Sequence, residues 1–355
     1  MKRFPMAAVC VLTIATGLWI AHAGDLNPPV GPVAPTMKTL AEVEPRIAIN
    51  ATNTPGDADS LFNISQRGSY YLTGNITGVA GKHGIEIAAG GVTLDLNGFD
   101  LVGVAGMGPF DGVSVTVVGL TNVAVVNGSV RNWGHTGIDI FLASNSRVAD
   151  VLASGNAGNG ISAGSVCTVT NCSAYLNTGH GFITGNGCTV SNCSAYTNTG
   201  NGISTNGGCT VSNCSVFLNT ASGITTSSGC TVADCIARAN TLDGIVCGSA
   251  CVIRGNTCSS NGSGGDGAGI HAFGTDGDNR IEGNNCTDAD RGIDVDFAGN
   301  LIIKNTCSGN TTNWDVAIGN AVAPIVAATT NGAAIGGNTY AGSLGSTDPN
   351  ANFTY

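Results

Sequence analysis

Apolar residues in this chain fall into short alternating runs, and the runs recur. Val92, Leu94 and Leu96 alternate with Thr93 and Asp95, the period-two pattern of a half-buried strand. An opening of Gly, apolar, variable, apolar then returns along the chain, as in Gly84-Ile-Glu-Ile, Gly112-Val-Ser-Val, Gly137-Ile-Asp-Ile, Gly202-Ile-Ser-Thr, Gly244-Ile-Val-Cys, Gly269-Ile-His-Ala and Gly292-Ile-Asp-Val. Side chains alternate faces along a strand, so the residue after Gly points inward and the next one outward. Between Gly160 and Asp243 the recurrence tightens to a 21-residue unit repeated four times, beginning GISAGSVCTVTNCSAYLNTGH. A unit that short encloses no core of its own, so its apolar positions leave water only by stacking on the units before and after. The expectation is an all-β solenoid of about a dozen rungs running from Gly68 to about Ala328.

Rungs of this length, with three short strands, a Gly-apolar opening and Asn at the turns, resemble the right-handed parallel β-helix of pectate-lyase-like proteins. The hexapeptide left-handed helix, with about 18 residues per turn, does not fit the pitch. The segments GSYYLTGNITG, GIEIAAGGVTLDLNGFDLVG and STDPNANFTY further resemble a group of secreted bacterial β-helix proteins of unassigned function. This resemblance covers roughly residues 36 to 355 and implies a fold, with no activity attached.

The termini read differently. Met1-Lys2-Arg3, an apolar run from Ala7 to Ile20 and Ala21-His22-Ala23 make residues 1–23 a secretory signal, with Gly24 the first mature residue. Residues 24–36 are a Pro-rich linker, and 37–67 are an N-terminal cap with a short helix opened by the capping box Thr39-Leu-Ala-Glu42 and ended near Pro45. Such a cap covers the unpaired edge of the first rung. The β-helix then occupies 68–328, and 329–355 form a C-terminal cap or tail. No stretch after the signal is long and apolar enough to span a membrane, so the expected location is secreted, periplasmic or at the cell surface.

Two residue types form columns at the same pitch. Cys167, Cys188, Cys209, Cys230 and Cys251 make one, and Cys172, Cys193, Cys214 and Cys235 a second. In-register stacking holds identical sulfurs away from disulfide torsions, so buried reduced thiols acting as small apolar fillers are expected. A soft metal between Cys-x4-Cys columns is the alternative, although no His closes a tetrahedral site. Asn156, Asn177, Asn198, Asn219, Asn240 and Asn261 form an asparagine ladder, and Asn171, Asn192, Asn213 and Asp234 another; both are read as structural, serving backbone groups at the bends.

Charge narrows the function. Lys and Arg number 13 against 23 Asp and Glu, a net charge of −10, which argues against a nucleic-acid partner. No Asp, Glu, Lys or Arg occurs in the 83 residues between Asp150 and Asp234, so ordinary acid–base catalysis has no place there. His180, in Gly179-His180-Gly181, superficially resembles the Gly-His-Gly of polygalacturonases, but the rest of that motif set is missing. Neither a pectate-lyase basic residue on the outward column nor a mannuronan-epimerase signature is found.

The regular text breaks after Asn261, and residues 266 to 296 carry Asp266, Asp276, Asp278, Glu282, Asp288, Asp290, Asp294 and Asp296 against Arg280 and Arg291. Treating Gly269, Gly292 and Asn313 as equivalent openings predicts one outward column of His271, Asp294 and Asp315, provided the excess residues lie in turns. His271, Asp294 and Asp315 are the candidate catalytic groups, with Phe273, Arg291 and Asp296 the candidate substrate contacts. Asp294, Asp296 and Asp315 are also candidate Ca²⁺ ligands, Ca²⁺ being the one cofactor considered. The bland alternative is a solvated acidic surface. The preferred expectation is an exported rigid scaffold or carbohydrate-binding element, its partner an extracellular polysaccharide or cell-surface glycan. The alternative is a polysaccharide lyase or glycoside hydrolase using the acidic C-terminal third.

Overall fold

Each central turn of the computed structural model lays down three short strands. Ile161–Ala163, Thr168–Thr170 and Ser173–Tyr175 make one turn, and Phe182–Thr184, Thr189–Ser191 and Ser194–Tyr196 the next. Corresponding strands pair in parallel with no slip: Ile161 opposite Phe182, Thr168 opposite Thr189, Ser173 opposite Ser194. The first strands of all turns form a twelve-stranded sheet, and the second and third share a sheet of 24 strands. The structure describes residues 45–355 apart from 263–264, 329, 331–333, 336 and 338–341. Arg46–Tyr355 form one compact unit. The signal, the linker and the Thr39–Glu42 helix lie outside the described residues. Among those described there is no helix, and none long and apolar enough to cross a membrane.

Three inward columns build the core, one per strand. Ile161, Phe182, Ile203 and Ile224 come from the first strand, Val169, Val190, Val211 and Val232 from the second, and Ala174, Ala195, Val216 and Ala237 from the third, all with no exposed area. Small residues on the third strand let the walls close on a core only a few side chains wide. The recurrent Gly has a steric cause. A Cβ on Gly160 would lie 2.6 Å from the Gly181 carbonyl oxygen and 2.9 Å from Asn177 Nδ2, so the opening position tolerates no side chain beside the asparagine ladder.

The ladders divide the work at the bends. Asn177 is typical of its column: its N–H donates to Asn198 Oδ1 at 3.1 Å, while its Nδ2 donates to Ala153 O at 3.1 Å and Asn198 Oδ1 at 3.0 Å. The Asn171 column acts otherwise. Asn171, Asn192, Asn213 and Asp234 are exposed bend residues with φ between 53° and 56°, the left-handed region that Asn and Asp enter at least cost.

The cysteine columns turn out to be asparagine ladders in another chemistry. The N–H groups of Cys167, Cys188, Cys209 and Cys230 donate to the sulfur one turn on at 3.2 to 3.4 Å. Cys251 N–H then donates to Asn279 Oδ1 at 2.8 Å, and Asn279 N–H to Asn300 Oδ1 at 3.0 Å. All 13 cysteines from Cys167 to Cys307 are buried free thiols.

The ends of the solenoid extend past the expected limits of its repeat. Ile47–Ala48 pairs with Tyr70–Tyr71, inside the segment read as the N-terminal cap. Asn352–Thr354, in the segment read as the tail, pairs with Thr306–Cys307 and Ile325–Ala327. Asn352 completes a ladder there by accepting the Asn305 N–H at 2.9 Å.

Candidate functional site

The residue two places after each opening Gly, or after Leu61 and Asn313 in the first and last turns, forms a continuous outward column on the twelve-stranded sheet. It reads Asn63, Glu86, Ser114, Asp139, Ser162, Ile183, Ser204, Thr225, Val246, His271, Asp294 and Asp315. Its middle is uncharged and its two ends are not. Residues at the position just before the Gly, among them His83, Asp111, Asp243 and Arg291, rise beside it as a second column.

At the C-terminal end, His271 is opposite Asp294 and Asp294 opposite Asp315. Pairing runs unbroken from Ala268 opposite Arg291 to Ala272 opposite Val295, so the excess residues sit in turns and the column forms. Arg291 links its members: its guanidinium lies 2.6 Å from Asp266, 3.1 Å from Asp294 and 3.1 Å from Asp315. His271 is held from both sides, with Nε2 3.2 Å from Asp296 and Nδ1 3.6 Å from Asp243. The carboxylate of Asp243 raises its pKa to about 9, with burial opposing and Asp296 adding to the rise, so it is an imidazolium at neutral pH. Burial raises the Asp294 pKa, while His271 and Arg291 pull it back down.

These groups line an open cavity of about 450 Å³ together with Val295, Val316 and Ala317. Asp266, from the 262–268 insertion, stands on its rim. Phe273 is 44% exposed and lies edge-on to the His271 ring at 6.2 Å between centroids. The structure therefore brings together His271, Asp294, Asp315, Arg291 and Asp296, with Phe273 alongside. Four other acids of the segment are engaged elsewhere: Asp278 and Asp288 hold left-handed bends, Asp290 accepts the Gly265 and Gly267 N–H groups at 3.0 and 3.3 Å, and Glu282 pairs with Arg280 and Lys304 at 2.6 and 2.9 Å. Asp243, 25 residues before the Ala268 whose N–H it accepts at 2.7 Å, was missed in the sequence. Its signal was its place immediately before an opening Gly.

The N-terminal end carries a second group that the sequence reading passed over. Buried Asp111 accepts the Thr136 N–H at 2.8 Å and bonds to His135 Nδ1 at 2.7 Å, with Ser114 Oγ at 3.3 Å. Asp139, on the outward column, accepts the Phe141 N–H at 3.0 Å, and burial raises its pKa. His180, midway between the two ends, belongs to a bend ladder: it donates its N–H to Asn159 Oδ1 at 2.8 Å and accepts the Asn201 N–H on Nδ1 at 3.0 Å. Burial lowers its pKa, in keeping with a neutral structural role.

Residues 165–286 match the family model described as the right handed beta helix region. With the parallel register above, this makes the chain a right-handed parallel β-helix. Solved structures agree on the fold. The A-module of Azotobacter vinelandii mannuronan C-5 epimerase AlgE6 is similar at 17% identity and a TM-score of 0.55, over 81% of this chain and 90% of that one. The AlgE4 A-module of the same organism is similar at 16% identity and a TM-score of 0.52, over 72% and 90%. The Agl-KA catalytic domain follows at 13% identity and a TM-score of 0.54, over 78% and 60%. No curated protein matches the chain in sequence.

Proposed function

We propose that this is an exported carbohydrate-binding β-helix whose ligand is a neutral polysaccharide, held at the cavity around Asp294. One observation carries the reading: both cations of the cavity are already spent on its own carboxylates. Arg291 is shared among Asp266, Asp294 and Asp315, and His271 between Asp243 and Asp296. What remains facing solvent is an excess of carboxylate oxygens beside an exposed ring, Phe273. Carboxylates accept strong hydrogen bonds from sugar hydroxyls, and an aromatic ring offers an apolar surface to a sugar ring. The fold is shared with modules named for mannuronan, a polyanion, but the four carboxylates lining this cavity repel such a polymer unless cations intervene. Ca²⁺ at Asp294, Asp296 and Asp315 would meet that need, yet it has to compete with Arg291, which already neutralises two of the three.

A glycoside hydrolase is the second reading, favoured by Asp294, whose buried carboxyl holds its proton more tightly, and by Asp315 on the adjacent strand. A glycan panel, with and without Ca²⁺ and scored for both retention and cleavage, separates the readings. Retention of neutral glycans without cleavage, weakened at least tenfold by Phe273→Ala, is expected. Cleavage abolished by Asp294→Asn and Asp315→Asn with thermal stability kept would establish the hydrolase. Binding of polyuronates alone, and only with Ca²⁺, would overturn the neutral ligand.

A further inference from the structure

The two charged ends of the outward column differ in how their carboxylates are balanced. At the C-terminal end Arg291 and protonated His271 do this from within the chain. At the N-terminal end Asp111 and Asp139 come together across adjacent turns, and among the described residues the basic groups bonded to Asp111 are histidines alone. Three donor atoms, one each from Asp111, His135 and Asp139, lie within 4.8 Å of one another.

We propose that Asp111, His135 and Asp139 form a binding site for a divalent transition-metal ion of the Zn²⁺ type. The ligand chemistry decides the class of ion. An imidazole nitrogen with two carboxylates is a donor set for Zn²⁺ and its neighbours, whereas Ca²⁺ takes oxygen ligands, six or more of them. Around tetrahedral Zn²⁺ with arms of about 2.1 Å, donor atoms stand about 3.4 Å apart, a spacing the three donors, all within 4.8 Å of one another, reach by small adjustments, the 2.7 Å contact between His135 Nδ1 and Asp111 opening as the ion enters. His135 has the freedom for this, its side chain being 52% exposed, while Asp111 is fixed with 6% exposed.

The surroundings hold the carboxylates as outer partners hold metal ligands. Asp111 is oriented by the Thr136 N–H at 2.8 Å and Ser114 Oγ at 3.3 Å, and its own N–H donates to His83 Nδ1 at 2.9 Å. That last bond makes His83 Nδ1 an acceptor and so keeps His83 out of the coordinating set. Asp139 is oriented by the Phe141 N–H at 3.0 Å. With three protein ligands, a fourth position remains for water or a ligand oxygen, and Asp139 belongs to the same outward column as Asp294 and Asp315.

The test is calorimetric titration of the full chain with Zn²⁺, alongside His135→Ala and the near-isosteric Asp139→Asn, with circular dichroism confirming that each variant is folded. One Zn²⁺ per chain is expected, weakened at least tenfold in either folded variant and retained in His271→Ala. Ca²⁺ at hundredfold excess is expected to leave the Zn²⁺ bound. Absence of binding, equal binding in His135→Ala and Asp139→Asn, as buried thiols would give, or displacement by Ca²⁺ each overturns the assignment.

Discussion

The backbone N–H of Cys235 donates to Oδ1 of Asn256 at 2.9 Å, the point at which a cysteine column passes into an asparagine ladder. Below that point Asn256 Nδ2 donates to Val232 O and to Asn284 Oδ1, both at 3.0 Å. Above it, the Cys235 thiol reaches Ala233 O at 3.3 Å and Val211 O at 3.8 Å. A thiol is a weak donor and acceptor, so this bend is satisfied less well than the one after it. Cys235→Asn extends the ladder by one turn and is expected to leave stability unchanged or raise it by about 1 kcal/mol. Cys235→Ala, which only removes atoms from the core, is expected to lower it by about 1–2 kcal/mol. Urea midpoints of the two variants check the ordering; equal destabilisation by both would show that the column has no room for an amide.

Asn198 represents the ladder that stays asparagine throughout. It has no exposed area. Its Oδ1 accepts from Asn177 N and Nδ2, and its Nδ2 donates to Ala174 O and Asn219 Oδ1, all at 3.0 to 3.1 Å. Asn198→Ala leaves a buried N–H and a buried carbonyl without partners and is expected to cost about 3–5 kcal/mol, against under about 1 kcal/mol for the exposed Asn192→Ala. Denaturant melts distinguish a hydrogen-bonding column from one whose value lies in its backbone φ.

The thiols give a direct count. With 13 buried free cysteines between Cys167 and Cys307, a chain beginning at Gly24 is expected to react with Ellman's reagent hardly at all when native and at 13 sites in guanidinium. A smaller denatured count, restored by reductant, would mean that some of the column is oxidised.

The fold was legible because its determinants are periodic. A strand-opening Gly, an inward Ile and a bend Asn each recur at 21 residues, and each has a single steric or hydrogen-bonding cause. The C-terminal column of His271, Asp294 and Asp315 was legible for the same reason, since counting from Gly sets the register. What escaped lay mostly one column over, Arg291 excepted. Asp243 and Asp111 sit immediately before their glycines, where the central repeats carry Asn159, His180, Asn201 and Ser222, and that position reads as a bend filler. The identical geometry becomes a site only where an outward neighbour is also charged, which is a relation between two columns. The break in pitch after Asn261 marks one end of the sheet, while Asp111, His135 and Asp139 lie where the turns are still longer than 21 residues and fall out of step with the repeat.

His271 makes the C-terminal end sensitive to alkali. Its pKa stands near 9 because Asp243, and after it Asp296, stabilise the imidazolium against the opposing effect of burial. The ordinary value in an unfolded chain is about 6.5. Because the folded value is the higher one, the associated stability is fully present below about pH 6.5 and is lost as pH rises through about 9. The ring is 26% exposed, so screening reduces the contribution to about 2 kcal/mol. Loss of the charge also frees Asp243 and Asp296 to repel each other across the cavity and leaves Arg291 as its one cation. Thermal melts between pH 6 and pH 10 are therefore expected to fall steadily in the native chain across the upper part of that range. His271→Gln, which keeps a hydrogen-bonding side chain without the charge, should start lower at pH 6 and vary less. A parallel decline in both proteins would place the alkaline sensitivity elsewhere in the chain, and the two carboxylates would then need another explanation for their approach to the ring.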